Sequence, residues 1–388
     1  MSKRNIAVLE FGSGHISVMI GDRSVNNTFD VKGFCEKQYA GFMNGEFLEP
    51  DLLEEEVVSA IEQAETEAEC SITHLYIGAP SEFCAVVTKT VELDFNKRRR
   101  VTNDDIEQLF EKADDFSANT THKVINRCPI YYVLDDGKKI IDPKGKHTTS
   151  IEATLSFALC EKRFINLVQQ IVSPLNFEVV DYFCEALSAS LFLVEPEARD
   201  NMALLVDCGY LTTSVSLVMG DGLLGLRSFS LGGGHLMADL CEAFGLTPKQ
   251  AEYLKRKADI SYIPEEDETY EIVGDNGEPM ELKAIEVNQV IENRIGQIGR
   301  MINKCVADIE YEVKDYLPII LTGGGICYLK GSRACLSNAL NRDVEIGVPP
   351  VPQMEKPHAA SVLSLLDLAL KQNKQTNQFF IIKFFKKK

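Results

Sequence analysis

The sequence predicts an α/β fold made of two α/β domains, with a small inserted α+β subdomain and an amphipathic helix at the C-terminus. Three observations predict this class. Apolar, strand-like runs are each followed by a short glycine-bearing turn, at 12–14, 209–213 and 323–325. Between 84 and about 160 the pattern changes to short alternating strands around one helix. The segment 379–388 places aromatic and lysine side chains at helical spacing.

Length and composition limit the class of protein. The 388 residues are enough for two or three domains with buried cores. The formal net charge is −18, which argues against nucleic acid as the main partner because phosphate binding needs a basic surface. The eleven cysteines are scattered, so we expect small buried residues in a reducing compartment. The six histidines show no metal or catalytic-triad spacing.

No exported or membrane-crossing segment is predicted. Residues 1–5 are mostly polar and lead directly into a strand, which is not the pattern of a signal peptide. No run reaches about 18 apolar residues, the minimum for a spanning helix. We therefore expect a cytosolic or peripheral membrane protein.

The first α/β domain is predicted at 1–83 and 161–200. Its predicted elements are a hairpin at 6–11 and 15–21, an amphipathic helix at 51–70, a strand at 75–78 and a helix–strand–helix unit at 164–193. The inserted subdomain is predicted at 84–160. There Thr102 is expected to cap a helix that has Asp104 and Asp105 in its first turn.

The second α/β domain is predicted at 201–250 and 317–370, with an outer subdomain at 251–316. The predicted elements are a strand at 203–206, helices at 236–244 and 248–258, a hairpin within 261–283, a long helix at 287–311, a strand ending at Gly323 and a last helix at 358–370. Residues 371–378 are predicted to be a polar linker to the terminal helix.

The glycine turns have the residue types that hold phosphate. Backbone N–H groups in a tight turn point at phosphate oxygens, and glycine permits their close approach. The hydroxyls of Ser13, Thr212 and Thr213 are further donors, and Asp207 is placed to hold Mg²⁺ through water. One such turn is weak evidence because strand–glycine turns are common. Three of them, in this order and spacing, resemble the two phosphate loops and the adenosine loop of the actin/Hsp70/sugar-kinase superfamily.

Surrounding residues narrow the resemblance to the FtsA family, over essentially the whole chain. The segments that carry it are Gly41-Phe42-Met43-Asn44-Gly45, Gly78-Ala79-Pro80, Val101-Thr102-Asn103-Asp104-Asp105-Ile106, Asp142-Pro143-Lys144-Gly145, Leu231-Gly232-Gly233-Gly234-His235, Ala251-Glu252-Tyr253-Leu254-Lys255, Val290-Ile291-Glu292-Asn293-Arg294 and Lys356-Pro357-His358-Ala359-Ala360. FtsA is the actin-like division protein that links filaments of FtsZ to the bacterial inner membrane. The resemblance implies an actin-like fold with ATP and Mg²⁺ in the cleft between the domains.

The resemblance also implies which residues bind. The residues expected at the nucleotide are Gly12, Ser13, Gly14, Asp207, Gly209, Thr212, Thr213, Gly232, Gly233, Glu252, Lys255, Gly323, Gly324 and Gly325. The FtsZ C-terminal peptide is expected on the outer subdomain, at Asn293, Arg294 and Arg300. A second account of Arg294 is an ion pair with a glutamate in the acidic stretch 265–271. Self-association into filaments, other division proteins as partners and a location at the division site are also implied.

Several residues depart from the family pattern. Glu10 stands where the family usually has aspartate, Tyr210-Leu211 replaces a glycine pair, and Ser214 replaces a frequent aspartate. Side chains at 210 and 211 are expected to crowd a backbone that should approach phosphate. We therefore expect slow ATP hydrolysis at most. A divergent paralogue with a degenerate nucleotide site remains an alternative, as do a sugar-kinase-like enzyme and a PilM-type scaffold.

The segment 379–388 has the pattern of a helix that lies on a membrane. At about 100° per residue, one face holds Phe380, Ile381, Ile382, Phe384 and Phe385, and the opposite face holds Lys383, Lys386 and Lys387. Aromatic anchors opposite cations suit an anionic membrane surface. The alternatives are a segment that packs on the protein or pairs as an edge strand.

Overall fold

The computed structural model describes residues 5–23, 29–43, 45–274, 277–352 and 354–375. The predicted terminal helix at 379–388 and most of the predicted linker therefore lie outside the described residues. Among the described residues, none of the helices combines the length and hydropathy that a bilayer crossing needs.

The first domain is a five-stranded sheet with helices on both faces. Its strands are β1 (Ile6–Phe11), β2 (His15–Arg23), β3 (Phe29–Gln38), β6 (His74–Ala79) and β11 (Glu178–Cys184), in the order β11-β6-β1-β2-β3. A short hairpin of two-residue strands, β4 (Phe42–Met43) and β5 (Glu46–Phe47), precedes α1 (Pro50–Ala68). The helices α3 (Lys162–Val172) and α4 (Glu185–Leu193) come before and after β11 in the chain. The strands β1, β2 and β3 pair antiparallel, whereas β6 and β11 run parallel.

The inserted block is an antiparallel sheet with one helix on it. Its elements are β7 (Cys84–Arg100), α2 (Asn103–Ala113), β8 (His122–Leu134), β9 (Lys139–Ile140) and β10 (His147–Glu161), with strand order β7-β10-β8-β9. The predicted cap is confirmed, because the Thr102 hydroxyl accepts from the Asp105 N–H and the Asp105 carboxylate accepts from the Thr102 N–H. Leu109, Tyr132 and Phe157 belong to a separate core within this block.

The second domain repeats the sheet of the first. After the short α5 (Pro196–Arg199) come β12 (Ala203–Cys208), β13 (Thr213–Met219), β14 (Gly222–Phe229), β17 (Ile319–Thr322) and β18 (Val344–Ile346), in the order β14-β13-β12-β17-β18. Its helices are α6 (Gly233–Phe244), α7 (Pro248–Lys257), α8 (Ala284–Ala307) and α9 (Ser332–Leu340), and β15 (Thr269–Val273) pairs with β16 (Pro279–Lys283). An antiparallel hairpin followed by parallel strands thus occurs in both domains.

The last helix departs from the predicted boundaries. The helix α10 (Ala360–Gln375) packs on the first domain, where Val362 and Leu366 join a core with Val8 and Met19. Residues 360–370 therefore do not belong to the second domain as predicted. The helix also continues into the predicted linker, because Lys371 pairs with Asp367 at 2.5 Å and Gln372 donates to Asp181. The spacing of apolar residues predicts a helix here, but it does not predict which sheet the helix packs against.

Two other boundaries differ. The predicted division at 250/251 falls inside α7, which begins at a capping box on Thr247 and Gln250. The long helix α8 begins at Ala284 and ends at Ala307, so it starts three residues earlier and ends four residues earlier than predicted. Its buried side is continuous, with Val287, Ile291 and Ile295 fully buried.

Candidate functional site

The glycine turns meet where the two domains face each other. The loop 12–14 joins β1 to β2, and the loop 209–212 joins β12 to β13. Ser13 lies in the first loop, and its Oγ accepts a hydrogen bond of 3.0 Å from the N–H of Leu211 in the second. The fold therefore brings the two predicted phosphate loops into direct contact.

The third turn completes this cluster. The N–H of Gly325 donates to the carbonyl of Cys208 at 2.8 Å, and the N–H of Gly233 donates to the carbonyl of Gly209 at 3.0 Å. Gly323 has φ +90°, and a Cβ atom placed on it would lie 2.3 Å from Oδ1 of Asp207. Gly324 lies against His358. Glycine is needed at 323 both for the left-handed backbone and for the close approach.

Tyr210 fills the space between two of these segments. A Cβ atom on Gly14 would lie 2.7 Å from Cδ1 of Tyr210, and one on Gly234 would lie 2.8 Å from Cε2 of the same ring. The tyrosine is 39% exposed, and burial raises the pKa of its hydroxyl. Its ring therefore lies between the first loop and the N-terminus of α6.

Several of the polar groups expected to hold phosphate in the second loop and at the start of α6 are bonded within the protein. At the start of α6, the N–H groups of Gly232 and Gly234 donate to Nδ1 of His235 and to the carbonyl of Tyr210. The Thr213 hydroxyl donates to the carbonyl of Leu231, and the Thr212 hydroxyl bonds the Glu82 carboxylate. These donors do not point into an open cradle.

Four carboxylates gather behind the loops. Glu10 and Asp207 are the next-to-last residues of β1 and β12. Glu82 and Glu185 come from the short helical turn before β7 and from the start of α4. Burial, and then the charges of Glu10 and Glu82, raise the pKa of Asp207 to about 7. Burial and the neighbouring carboxylates raise the pKa of Glu185 well above its ordinary value.

The charge available to balance these carboxylates is small. Burial raises the pKa of Glu10, and His15, whose Nε2 is 3.9 Å from Oε1 of Glu10, acts in the opposite direction. Burial also raises the pKa of Glu82. Among the described residues, no group of three acidic, histidine or cysteine side chains is arranged to hold a metal ion.

Sequence reasoning singled out Glu10 and Asp207 but missed Glu82 and Glu185. One signal was available for Glu185, which directly follows the strand β11, while Glu10 and Asp207 lie next to last in β1 and β12. No comparable signal marks Glu82, because it lies in a three-residue helical turn whose position depends on the tertiary fold.

The two residues predicted to face the ribose and base, Glu252 and Lys255, lie on α7 and form an ion pair with each other. Lys255 is buried and its Nζ is 2.6 Å from Glu252, which also accepts from Arg256 at 2.9 Å. Burial acts to raise the pKa of Glu252, but the two cations together hold it below its ordinary value. This pairing leaves the lysine fixed beside the cleft.

The predicted partner residues on α8 differ in exposure: Arg294 is half-buried and also donates to Gln297, whereas Asn293 and Arg300 are exposed. Arg294 makes two hydrogen bonds of 2.5 Å to the carboxylate of Asp239 on α6. Its partner is therefore Asp239 and not a glutamate of 265–271. Asn293 and Arg300 lie on the exposed face of the helix. Together with Gln297 and Lys304, they form what we call the outer stripe.

The residues present do not fit a nucleoside triphosphate in this conformation. A ring occupies the gap beside Gly14, and carboxylates without described lysine or arginine partners lie behind the loops. The amides of Gly209, Gly233, Gly234 and Gly325 are bonded to protein carbonyls. Phosphate needs open amides and positive potential. The predicted residues come together, but as a closed contact between the domains.

Comparison with known proteins identifies the relatives of this fold. Residues 204–364 match the family described as cell division protein FtsA, and residues 84–157 match the SHS2 domain inserted in FtsA. The chain is 22% identical over 357 residues to FtsA of Escherichia coli K12, covering 89% of this chain and 84% of that protein. It is 21% identical to FtsA of Staphylococcus epidermidis ATCC 12228, covering 95% of this chain and 80% of that protein.

Solved structures show the same fold. The PilM–PilN type IV pilus biogenesis complex matches with a TM-score of 0.62 at 16% identity, covering 95% of this chain and 99% of that chain. MreB5 of Spiroplasma citri bound to AMPPNP matches with a TM-score of 0.56 at 12% identity, covering 97% of this chain and 99% of that chain. The predicted actin-like α/β fold with an inserted subdomain is therefore confirmed.

Proposed function

This chain belongs to the FtsA family of cell division proteins, and on that premise we propose that it connects FtsZ filaments to the cytoplasmic face of the bacterial membrane. The observation that carries the proposal is the FtsA-type insertion at 84–157 within an actin-like fold. A PilM-type scaffold shares the fold, but its structural likeness at 16% identity carries no function.

The membrane arm of the proposal rests on residues 379–388, which lie outside the described residues. Burial of one large apolar side chain contributes up to about 1.5–3 kcal/mol, and a lysine near an anionic surface adds about 1 kcal/mol. Ordering a short segment offsets much of this gain. A single chain then binds reversibly, whereas a filament that presents many copies binds tightly.

Sedimentation with vesicles tests the whole link. FtsZ filaments should sediment with vesicles of anionic phospholipid only when this chain is present. The double change Phe384→Asp with Ile381→Asp should abolish recruitment, whereas Phe384→Leu with Ile381→Val keeps the apolar face and should retain it. Unchanged recruitment by the aspartate variant would contradict the membrane arm.

We propose that the FtsZ tail docks on the outer stripe. Arg300 is exposed there, and a guanidinium pairs a peptide carboxylate through two hydrogen bonds. Arg294 is already paired with Asp239, a contact that joins α8 to α6, so we assign the docking contact to Arg300. Lys304 adds a second positive charge to the same exposed stripe.

A peptide titration separates the two arginines. Arg300→Glu should weaken binding of the FtsZ tail peptide by about tenfold or more, since a hydrogen bond to a charged group contributes about 1.5–3 kcal/mol, and should leave the melting temperature unchanged. Lys138→Glu makes the same charge change on the exposed turn of the inserted block and should have no effect. Arg294→Glu should lower the melting temperature. Equal affinities for the Arg300 and Lys138 variants would place the docking site elsewhere, and failure of the wild type to bind would contradict the FtsZ arm of the proposal.

The family also implies a nucleotide in the cleft. Convergence of the three glycine turns supports a site of actin-like descent, while the geometry around Tyr210 argues against a bound triphosphate. The function that the geometry supports best is therefore a division scaffold that does not depend on ATP hydrolysis.

A further inference from the structure

We propose that Tyr210 is a built-in occupant of the cleft, which holds the two domains together in place of a nucleotide. The ring touches both sides of the space that a phosphate chain would need. On one side is Gly14 of the β1–β2 loop, and on the other is Gly234 at the N-terminus of α6. These are contacts of a side chain with two backbones from different domains, so the tyrosine links the domains directly.

The backbone around Tyr210 strengthens this link. Its carbonyl accepts from the N–H of Gly234 at 2.7 Å, and the N–H of the next residue, Leu211, donates to Ser13 Oγ. The α6 amide that could receive an anion is thus bonded to the residue whose ring fills the cleft. A nucleotide would have to break both hydrogen bonds and move the ring before it could bind.

Electrostatics act in the same direction. Glu10, Glu82, Glu185 and Asp207 lie beside the loops, and Nε2 of His15 is 3.9 Å from Oε1 of Glu10. Lys255, whose charge acts on Cys208 at the end of β12, is already paired with Glu252. A triphosphate adds several negative charges at short range, where like charges repel strongly in a partly desolvated site.

The consequence is a closed form that needs no nucleotide. In a cleft closed by its own tyrosine, the domains keep one relative position whether or not ATP is present. Association with a second copy or with FtsZ would then be independent of the nucleotide. This inference concerns the cleft alone and holds whether or not the membrane and FtsZ arms of the proposed function are correct.

Isothermal titration with ATP·Mg²⁺ and ADP·Mg²⁺ tests the inference. The wild type should show no binding below about 1 mM, whereas Tyr210→Gly with Leu211→Gly should gain at least tenfold in affinity. Tyr210→Phe keeps the ring and should behave like the wild type. Micromolar binding by the wild type would overturn the proposal. Lack of any gain in the folded double variant would show that the ring is not what excludes the nucleotide.

A second measurement covers the case in which the double variant does not fold. The chain contains no tryptophan, so Tyr210→Trp introduces a single reporter at the position in question. Its emission should remain that of a partly buried ring as ATP·Mg²⁺ is raised to about 1 mM. A saturable red shift at micromolar nucleotide would mean that the ring is displaced, and this would also overturn the proposal.

Discussion

The two domains carry the same antiparallel hairpin, but the loops at its tip differ in size. The first loop is made of small residues, Gly12-Ser13-Gly14, while the second places Tyr210 and Leu211 between Gly209 and Thr212. The ring of Tyr210 in the second loop lies in the space that Gly14 of the first loop leaves open. In this chain the missing side chain of Gly14 makes room for a tyrosine ring. In other glycine turns it lets backbone N–H groups approach phosphate.

The largest loss of unfolding free energy is expected at Gly323, where both the positive φ angle and the close neighbouring atoms require glycine. Gly323→Ala should cost about 3 kcal/mol or more of unfolding free energy, because it adds left-handed strain of about 1–2 kcal/mol to a clash with Asp207 and Cys208. Gly137→Ala is the matched control, with φ +74° and open space around it, and should cost only the strain. Denaturant unfolding of both variants makes the comparison. Equal losses would mean that the third turn is not tightly packed against the second.

A double-mutant cycle tests the pairing of the small and large loops. Gly14→Val should cost about 1–3 kcal/mol through overpacking against Tyr210. In the Tyr210→Gly background the same change should cost much less, because the ring that it meets is gone. The coupling, measured by denaturant unfolding, should be about 1 kcal/mol or more. Additive effects would show that Gly14 is needed for a reason other than the ring.

The carboxylates behind the loops predict a pH dependence. The pKa of Asp207 is raised to about 7 by burial and then by Glu10 and Glu82, against about 3.9 in an unfolded chain. The folded state binds the Asp207 proton more tightly than the unfolded chain does. This proton therefore contributes fully to the free energy of unfolding below about pH 4, and the contribution is lost as pH rises through 7. Asp207→Asn removes this charge and should raise the unfolding free energy at pH 8 by about 1–2 kcal/mol.

Thermal unfolding between pH 5.5 and 8 makes this measurement. The melting temperature of the wild type should fall across the range, and the fall should be shallower for Asp207→Asn. As a control, Asp136→Asn changes an exposed carboxylate in the inserted block. A steeper profile for the Asp207 variant than for the wild type would contradict the raised pKa.

These particular residues also show what the sequence can and cannot predict. The hairpins, the capped helix at Thr102 and the actin-like fold follow from periodicity, turn residues and family resemblance, because each depends on local signals. The packing of α10 on the first domain could not be predicted in this way, because the apolar residues of its buried face do not indicate which sheet they contact. Likewise, the sequence shows that Tyr210 replaces glycine but not that the ring turns inward onto Gly14. That outcome depends on how closely two distant loops approach.

The smallest effect is expected at the single hydrogen bond between the loops. Ser13→Ala removes the acceptor of the Leu211 N–H and should cost about 0.5–1.5 kcal/mol, the net contribution of one such bond. Ser13→Thr keeps the hydroxyl and should recover most of that loss. If nucleotide binding had instead been the role of Ser13, the alanine change would leave the stability of the nucleotide-free protein unaltered. The unfolding free energy measured in denaturant without nucleotide therefore distinguishes a serine that stabilises the contact between the loops from one that only binds phosphate.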